Sequence, residues 1–469
     1  MSNDESTPFP VEVSRAGRNA SAAERTAIAC FRAGVAAALP ERVVAETVSV
    51  DGGILRVADA AYDLGAYERV VGGGGGKAAD GAATALEAIL GDQIDAGAVV
   101  VDETDGGEGE RSDRGAVDSR IDRIVGGHPV PTTAGVEGTA RALDLVRAAD
   151  EDTLVLALVT GGASALFSAP VGAVGLDALR ETTDALLRAG ADIDEINAVR
   201  KHLSRVKGGR LAAAAAPATV VGLVFSDVVG DDLAVIGSGP TAPDASTYAD
   251  ALGVLERYDV TVPSAVRDHL ARGERGGEPE TPGAAAAAFD RVDNHILANA
   301  STALDAAAAV ADERGYDPLI LSSRLRGEAR ETGVTHAAIA EEIADAGRPV
   351  EPPAVVLSGG ETTVSVEGDG VGGPNLECAL AAAIEFADAG SPVRGRDCAL
   401  LAADTDGRDG STDAAGAVAT PATVDDAAAA RAALCDNDAL SALRRADATL
   451  RTGATGTNVN DLRVLVVEA

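Results

Sequence analysis

Lysine is nearly missing from this 469-residue sequence: of 39 lysines and arginines only Lys77, Lys201 and Lys207 are lysine. Tryptophan is absent and aromatic residues make up 2%, which leaves little material for base-stacking platforms. Positive charge is scarce altogether. The formal net charge is −35, so no uniformly basic face is available for a phosphate backbone, and a nucleic-acid partner is not expected. The four cysteines, Cys30, Cys378, Cys398 and Cys435, are scattered without a CxxC pair. That argues against a disulfide framework or zinc site and fits a reducing compartment. No run reaches the ~18 apolar residues of a bilayer span, and the polar, acidic start MSNDESTPFP is not a signal peptide. A soluble, cytoplasmic protein is expected, without a membrane partner. The acid excess, with arginine standing for lysine, suits a high-salt interior where screening removes self-repulsion.

What is present is apolar and periodic. Hydrophobic residues make up 46% of the chain, which excludes general disorder. Short Val/Leu/Ile runs alternate with Ala-rich amphipathic stretches, the α/β pattern with mostly parallel strands. Buried strands are predicted at 67–71, 153–159, 219–225, 294–299, 318–322, 354–358, 397–403 and 462–468. The charged, Gly-containing runs 103–122 and 272–283 read as loops, the second as a domain boundary. Ligands of open α/β sheets bind outside the carboxyl ends of strands, so the loops after these runs matter most.

Five groups of residues could carry chemistry. In the run from Gly72 through Gly75 and Gly76 to Lys77, glycines let the backbone approach an anion and the following helix start offers N–H groups. This is not a Walker A loop, because Val71 and Ala78 replace its glycine and hydroxyl. Gly161, Gly162 and Ser164 follow a strong strand and suit a phosphate or carboxylate nest. In EINAVRKHLSRVKGGRLA, Asn197, Arg200, Ser204 and Lys207 share a face beside a buried stripe; a cationic row ending at a Gly pair suits a carboxylate or phosphate. His202 reads as a packing residue. Asp227, Asp231 and Asp232 follow another strand and offer oxygen ligands to Mg²⁺. Lastly, SGGETT (358–363), GGPNLE (372–377), DTDGRDGSTDAAG (404–416) and TGATGTNVND (452–461) are Gly-rich loops that together would form a nucleotide and Mg²⁺ site.

These blocks, with GGHPVPTTAG (126–135) and FSDVVGDDLAVIGSGPTAPD, occur in an order that resembles the class II glycerate 2-kinases, whose C-terminal part is called the MOFRL domain. The resemblance covers the chain from about residue 70 to its end. It implies two α/β domains with mostly parallel sheets: a Rossmann-like larger one at 1–285, a smaller MOFRL-type one at 286–469, and an active site in the cleft. It also implies ATP-dependent phosphorylation of D-glycerate to 2-phosphoglycerate, with Mg²⁺; a homodimer is compatible. Lys77 matches the family's active-site lysine, and Arg200 and Lys207 match basic positions of its central block.

By this resemblance Lys77 neutralises the phosphoryl group or the glycerate carboxylate, while Gly75, Gly76, Ser164, Asn197, Arg200 and Lys207 hold the substrate. Gly161, Gly162, Gly359, Gly360, Glu361, Thr362, Asn375, Glu377, Asn458 and Asn460 cradle ATP, and Asp227, Asp406 or Asp409 holds the metal or takes the hydroxyl proton. The chain departs from the family at one motif. Where the family usually reads GGRNQE, Pro374 replaces the arginine and Leu376 the glutamine, and proline supplies neither cation nor N–H. Arg200, Arg210 or Arg408 would take over the lost charge. Related readings are a kinase for another sugar acid, or one giving 3-phosphoglycerate. Readings of another class are a hydroxypyruvate reductase, against which the missing dinucleotide fingerprint speaks, and a non-catalytic sugar-acid or nucleotide sensor.

Overall fold

The computed structural model describes residues 12–13, 20–102 and 119–469. Most of the loop expected at 103–122 lies outside the described residues. Two compact units are present, Pro40–Leu297 and the residues up to Leu39 together with Ala298–Ala469. This differs from a single cut at 285/286 at both ends of the larger unit. Strand β1 (Glu12–Val13) and the helix Ala22–Ala37 come first in the chain but belong to the smaller unit. Glu12 pairs antiparallel with Arg451, and a Cβ on Gly34 would overlap Leu462 and Ala303.

The larger unit opens with a three-stranded hairpin sheet, β2 (Val48–Asp51), β3 (Ile54–Val57) and β4 (Ala60–Asp63). Six further strands follow: β5 (Arg69–Gly75), β6 (Ala96–Val101), β7 (Ile121–Val125), β8 (Thr153–Val159), β9 (Thr219–Phe225) and β10 (Val292–Ala298). Their order in the sheet is β10-β9-β8-β5-β6-β7, and the ladders β6–β7, β5–β6, β5–β8 and β8–β9 are parallel. All seven residues of β8 are buried, as expected of a strand covered on both faces. From β5 the chain proceeds outward through β6 and β7, then returns to β8 and proceeds the other way. The boundary between β5 and β8 is therefore the topological switch point, where the carboxyl ends of strands leave a crevice.

Between β8 and β9 the chain builds a helical layer. Leu176–Arg188 and Ile193–His202 pack with the later helices Tyr248–Arg257 and Ser264–Glu274 around Leu186, Val199, Leu203, Leu255 and Leu270. The run 272–283 is not a linker. Glu278 binds Arg272 at 2.8 Å, Glu280 accepts from His202 at 3.0 Å, and the Thr281 hydroxyl donates to Asp244 at 2.8 Å. Composition alone, charged and Gly-rich, could not show that its acids have partners.

The smaller unit holds β11 (Asp317–Leu325), β12 (Ala354–Gly360), β13 (Cys398–Asp404), β14 (Gly416–Ala419), β15 (Thr449–Arg451) and β16 (Asp461–Val467). With β1 they form a seven-stranded sheet in the order β1-β15-β14-β13-β16-β12-β11. The α/β character is as expected, but this sheet is not mostly parallel. Only β11–β12 is a parallel ladder; the remaining five are antiparallel. The last strand, β16, inserts between β12 and β13 against the direction of both, which a list of apolar runs does not reveal. The four cysteines are free, and among the described residues no helix is long and apolar enough to cross a membrane.

Candidate active site

At the switch point the glycine run does something other than form a turn. Gly72–Gly75 are strand residues of β5, buried between β6 and β8. Gly76 has a φ of 136°, and a Cβ there would overlap the Thr160 hydroxyl. The N–H groups expected to face an anion are already engaged. Gly76 donates to Val100 at 3.0 Å, Lys77 to Gly161 at 2.8 Å, Ala78 to the Thr160 hydroxyl at 3.2 Å and Ala79 to Gly76 at 3.3 Å. Gly75 and Gly76 thus provide close packing rather than donors. What this turn offers a ligand is the half-buried side chain of Lys77.

The open donors lie one strand over. Among the described residues, nothing accepts from the backbone N–H groups of Gly161 and Gly162 in the turn after β8. A Cβ on Gly161 would overlap the Asp227 carboxylate, and one on Gly162 would lie 3.1 Å from the Lys77 stem and 3.2 Å from the His128 ring. Lys77, His128, Gly161, Gly162 and Asp227 therefore surround one turn. His128 had been passed over in the sequence because a lone histidine in GGHPVPTTAG carries no spacing signal. The Asp232 carboxylate accepts from the Ala234 backbone two residues on.

The central basic motif reaches the same turn. The helix Ile193–His202 is started by a capping box of Asp192 and Glu195, and it sets Arg200 so that its guanidinium donates to the Ser164 carbonyl at 2.7 Å. Past the helix end, the amine of Lys207 donates to the Phe167 carbonyl at 3.3 Å. Asn197 accepts from the Ser238 hydroxyl at 3.0 Å, and Ser238 meets the Ser164 hydroxyl at 2.8 Å. Ser238 is a second residue that the sequence does not single out. Burial lowers the Arg200 pKa to about 10, and burial followed by the field of Arg200 holds Lys207 well below its ordinary value. Lys201 is different: it forms a buried pair with Asp244 at 3.0 Å. His202 packs edge-on against Tyr248, and Arg210 is held by Tyr248 and the Pro279 carbonyl.

In the smaller unit, the ends of β12, β13 and β16 carry a polar network. Asp409 is 1% exposed, and its two oxygens accept from the backbone of Asn375 at 2.9 Å and Leu376 at 2.8 Å. It satisfies the start of the helix Pro374–Phe386, where an anion is favoured. Burial, and after it the N–H bonds that oppose it and the nearby Asp461, leave its carboxyl raised to about 7. Asn375 also donates to Asp461 at 2.6 Å, and Asp461 pairs at 2.6 Å with Arg463, which donates to Thr362 at 2.7 Å. Pro374 is the first residue of its helix, where a missing N–H costs nothing. Leu376 lies in the core cluster of this unit.

Of the other expected nucleotide contacts, Gly359 and Gly360 end β12 in its ladder with β16. Glu377 is buried and held by Asn437 at 2.7 Å and Arg330 at 3.3 Å. Glu361 is exposed, and Asn458 accepts from the backbone of Asn460 at 3.0 Å. Arg408 is exposed and its own N–H donates to Asp406 at 2.8 Å. The three proposed metal aspartates are divided between the two units. Asp227 belongs to the larger unit, and Asp406 and Asp409 to the smaller. Among the described residues no group of three or more potential ligands is present. Asp461 closes the motif TGATGTNVND and Arg463 sits in the apolar run 462–468, so neither stands out in the sequence as a member of a charge network.

Comparison with known proteins places the chain in a family. Residues 26–271 match a family described as a domain of unknown function, DUF4147, and residues 354–461 match the MOFRL family. The chain is 39% identical over 440 residues to the glycerate 2-kinase of Pyrococcus horikoshii, covering 92% of this chain and 94% of that protein. It is 41% identical over 400 residues to a putative hydroxypyruvate reductase of Agrobacterium vitis, covering 84% of this chain and 98% of that one. The crystal structure of glycerate kinase from Thermotoga maritima superposes with a TM-score of 0.79 at 38% identity, covering 94% of this chain and 99% of that chain. On these grounds the chain belongs to the class II glycerate 2-kinase family, built from a DUF4147 and a MOFRL domain.

Proposed function

We propose that this protein is a kinase that transfers a phosphoryl group to the 2-hydroxyl of D-glycerate, giving 2-phosphoglycerate. The observation that carries this reading is the turn after β8, where open N–H groups of Gly161 and Gly162 stand beside Lys77, followed by the segment whose Ser164 and Phe167 carbonyls hold Arg200 and Lys207. Such a turn suits an anion whose charge must be neutralised during transfer. Arg200 and Lys207 hold the glycerate carboxylate, with Asn197 and Ser164 fixing the hydroxyls. Lys77 meets the phosphoryl group. The substrate oxygen attacks phosphorus, the bond to the leaving nucleotide breaks, and the hydroxyl proton passes to Asp227 or His128.

The donor we assign is ATP, held by the glycine-rich ends of β12, β13 and β16. Mg²⁺ customarily rides on nucleotide phosphates with one or two carboxylates. Asp227 fits that role. Asp409 does not, since both its oxygens are engaged by a helix start. When bound, the ion neutralises charge on the transferring phosphate.

The relative called a putative hydroxypyruvate reductase prompts a second reading. A dinucleotide fingerprint uses open N–H groups at the first strand–helix turn, and here those of Gly76, Lys77, Ala78 and Ala79 are taken. The test is incubation with ATP, Mg²⁺ and D-glycerate in high-salt buffer, the product being resolved by ³¹P NMR. A 2-phosphoglycerate signal is expected. A 3-phosphoglycerate signal moves the acceptor hydroxyl, and oxidation of a reduced nicotinamide by hydroxypyruvate without ATP overturns the kinase.

A further inference from the structure

Arg200 and Lys207 rest on carbonyls three residues apart, those of Ser164 and Phe167. Lys207 is 2% exposed, while Arg200 is half-buried and so remains within reach of a ligand. Among the described residues neither forms an ion pair with a carboxylate. Of the acids on the neighbouring elements, Asp244, beneath Gly208, is held by Lys201 and Thr281, and Asp227 lies against Gly161. Ser164, Ser238 and Asn197 complete the surroundings with neutral groups. The positive charge of Arg200 adds to burial in disfavouring a charged Lys207.

A fully buried cation without a counter-ion, next to a second cation, is unstable. The amine relieves this by losing a proton far more readily than the guanidinium does. We infer that Lys207 is a neutral amine in the ligand-free protein and takes up a proton when an anion docks against Arg200, so that substrate binding is coupled to proton uptake at this side chain. This rests on the anion-binding reading of the turn. The proton comes from solvent and adds to Nζ; the ligand stays ionised and no other bond changes.

The sign is fixed by linkage. The anion raises the Lys207 pKa from its depressed value toward the ordinary one. Below the depressed value both states are protonated and affinity does not depend on pH. Above it, binding takes up a proton and affinity falls by up to about tenfold per pH unit.

Calorimetric titration of the full chain with D-glycerate, at mildly alkaline pH in buffers of different ionisation enthalpy, reads this directly. Uptake approaching one proton per ligand is expected. In Lys207→Met uptake should vanish, while weaker binding persists through Arg200. Binding without uptake in the unmodified protein overturns the inference. A ligand-free measurement separates this from a wrong substrate. Because the unfolded chain binds more protons than the folded one, the unmodified protein should gain in melting temperature on Lys207→Met as pH rises from neutral toward the ordinary lysine value. A gap that does not change with pH overturns the inference whatever the substrate. If D-glycerate yields neither heat nor product while the gap does change, the substrate assignment fails and the neutral amine stands.

Discussion

Lys207 in the larger unit and Arg463 in the smaller are both fully buried basic side chains, at 2% and 0% exposure, but their surroundings differ. Arg463 has Asp461 at 2.6 Å and Thr362 at 2.7 Å, and Asp461 in turn is bound by Asn375. Lys207 has one carbonyl at 3.3 Å and a second cation for a neighbour. A charge matched within the fold holds loops in place and needs nothing from outside. A basic group left unmatched stays uncharged in the empty protein, on the inference above, and takes up its charge when an anion arrives. On that reading the same kind of side chain serves as scaffold in one unit and as part of a binding site in the other.

The largest effect expected from this contrast is on turnover. Lys77→Ala removes the half-buried cation next to the Gly161–Gly162 turn. It should lower kcat by about 10²- to 10³-fold, the cost of deleting one preorganised charge partner in a transition state. The melting temperature should change little. Steady-state kinetics with D-glycerate, beside a thermal melt, checks both. A folded variant with unchanged kcat would remove Lys77 from the machinery.

The next effect is on stability, and it breaks the comparison if it fails. Arg463→Met leaves Asp461 buried without its cation, and loss of one partner of a buried pair costs about 3–5 kcal/mol. Lys207→Met strands no carboxylate and should leave stability near neutral pH unchanged or improved. Denaturant midpoints of the two variants measure the difference. Equal losses would mean that both cations are structural.

A third prediction sharpens the scaffold side through pH. Asp409 is raised to about 7 in the folded protein, against ~3.9 for an unfolded aspartate. Between these values the folded state binds the extra proton. The contribution of Asp409 is therefore fully present below the unfolded pKa and lost as pH rises through about 7. Its size is at most about 4 kcal/mol. Denaturant midpoints of the unmodified protein should fall relative to Asp409→Asn over that window. The variant itself starts about 1–3 kcal/mol lower, because an amide cannot accept from both Asn375 and Leu376. Parallel pH profiles would show that Asp409 stays ionised throughout.

Much of this was legible in the sequence, for reasons that also explain the gaps. Strands such as 153–159 and 219–225 are continuous apolar runs, and their ends coincide with the strands found. The rarity of lysine drew attention to the right segments, but not to the different fates of Lys201 and Lys207. One meets Asp244 and the other does not, and that depends on a residue 43 positions away. The glycine run was read as an anion turn because glycine permits one. Its N–H groups are committed by Val100, Gly161 and Thr160, which only pairing across strands can show. Direction in the smaller sheet was likewise hidden, since antiparallel and parallel buried strands present the same composition. His128 and Asp461 lie within quoted motifs, GGHPVPTTAG and TGATGTNVND, but their parts become visible only through what they touch.

The smallest effect concerns Arg408, proposed to replace the charge absent at Pro374. Its side chain stands in solvent on the turn after β13, with its backbone N–H fixed by Asp406. A solvated cation contributes on the order of 1 kcal/mol to holding an anion, so Arg408→Ala should raise KM for one of the two substrates about fivefold and leave kcat and the melting temperature unchanged. Raised ionic strength should shrink the difference, because an exposed charge is screened where a buried one is not. If KM does not move, Pro374 is uncompensated from this turn. Pro374→Arg then becomes the informative variant: the first helical position accepts arginine without loss of a needed hydrogen bond, and any gain in affinity reports what the family's cation supplies.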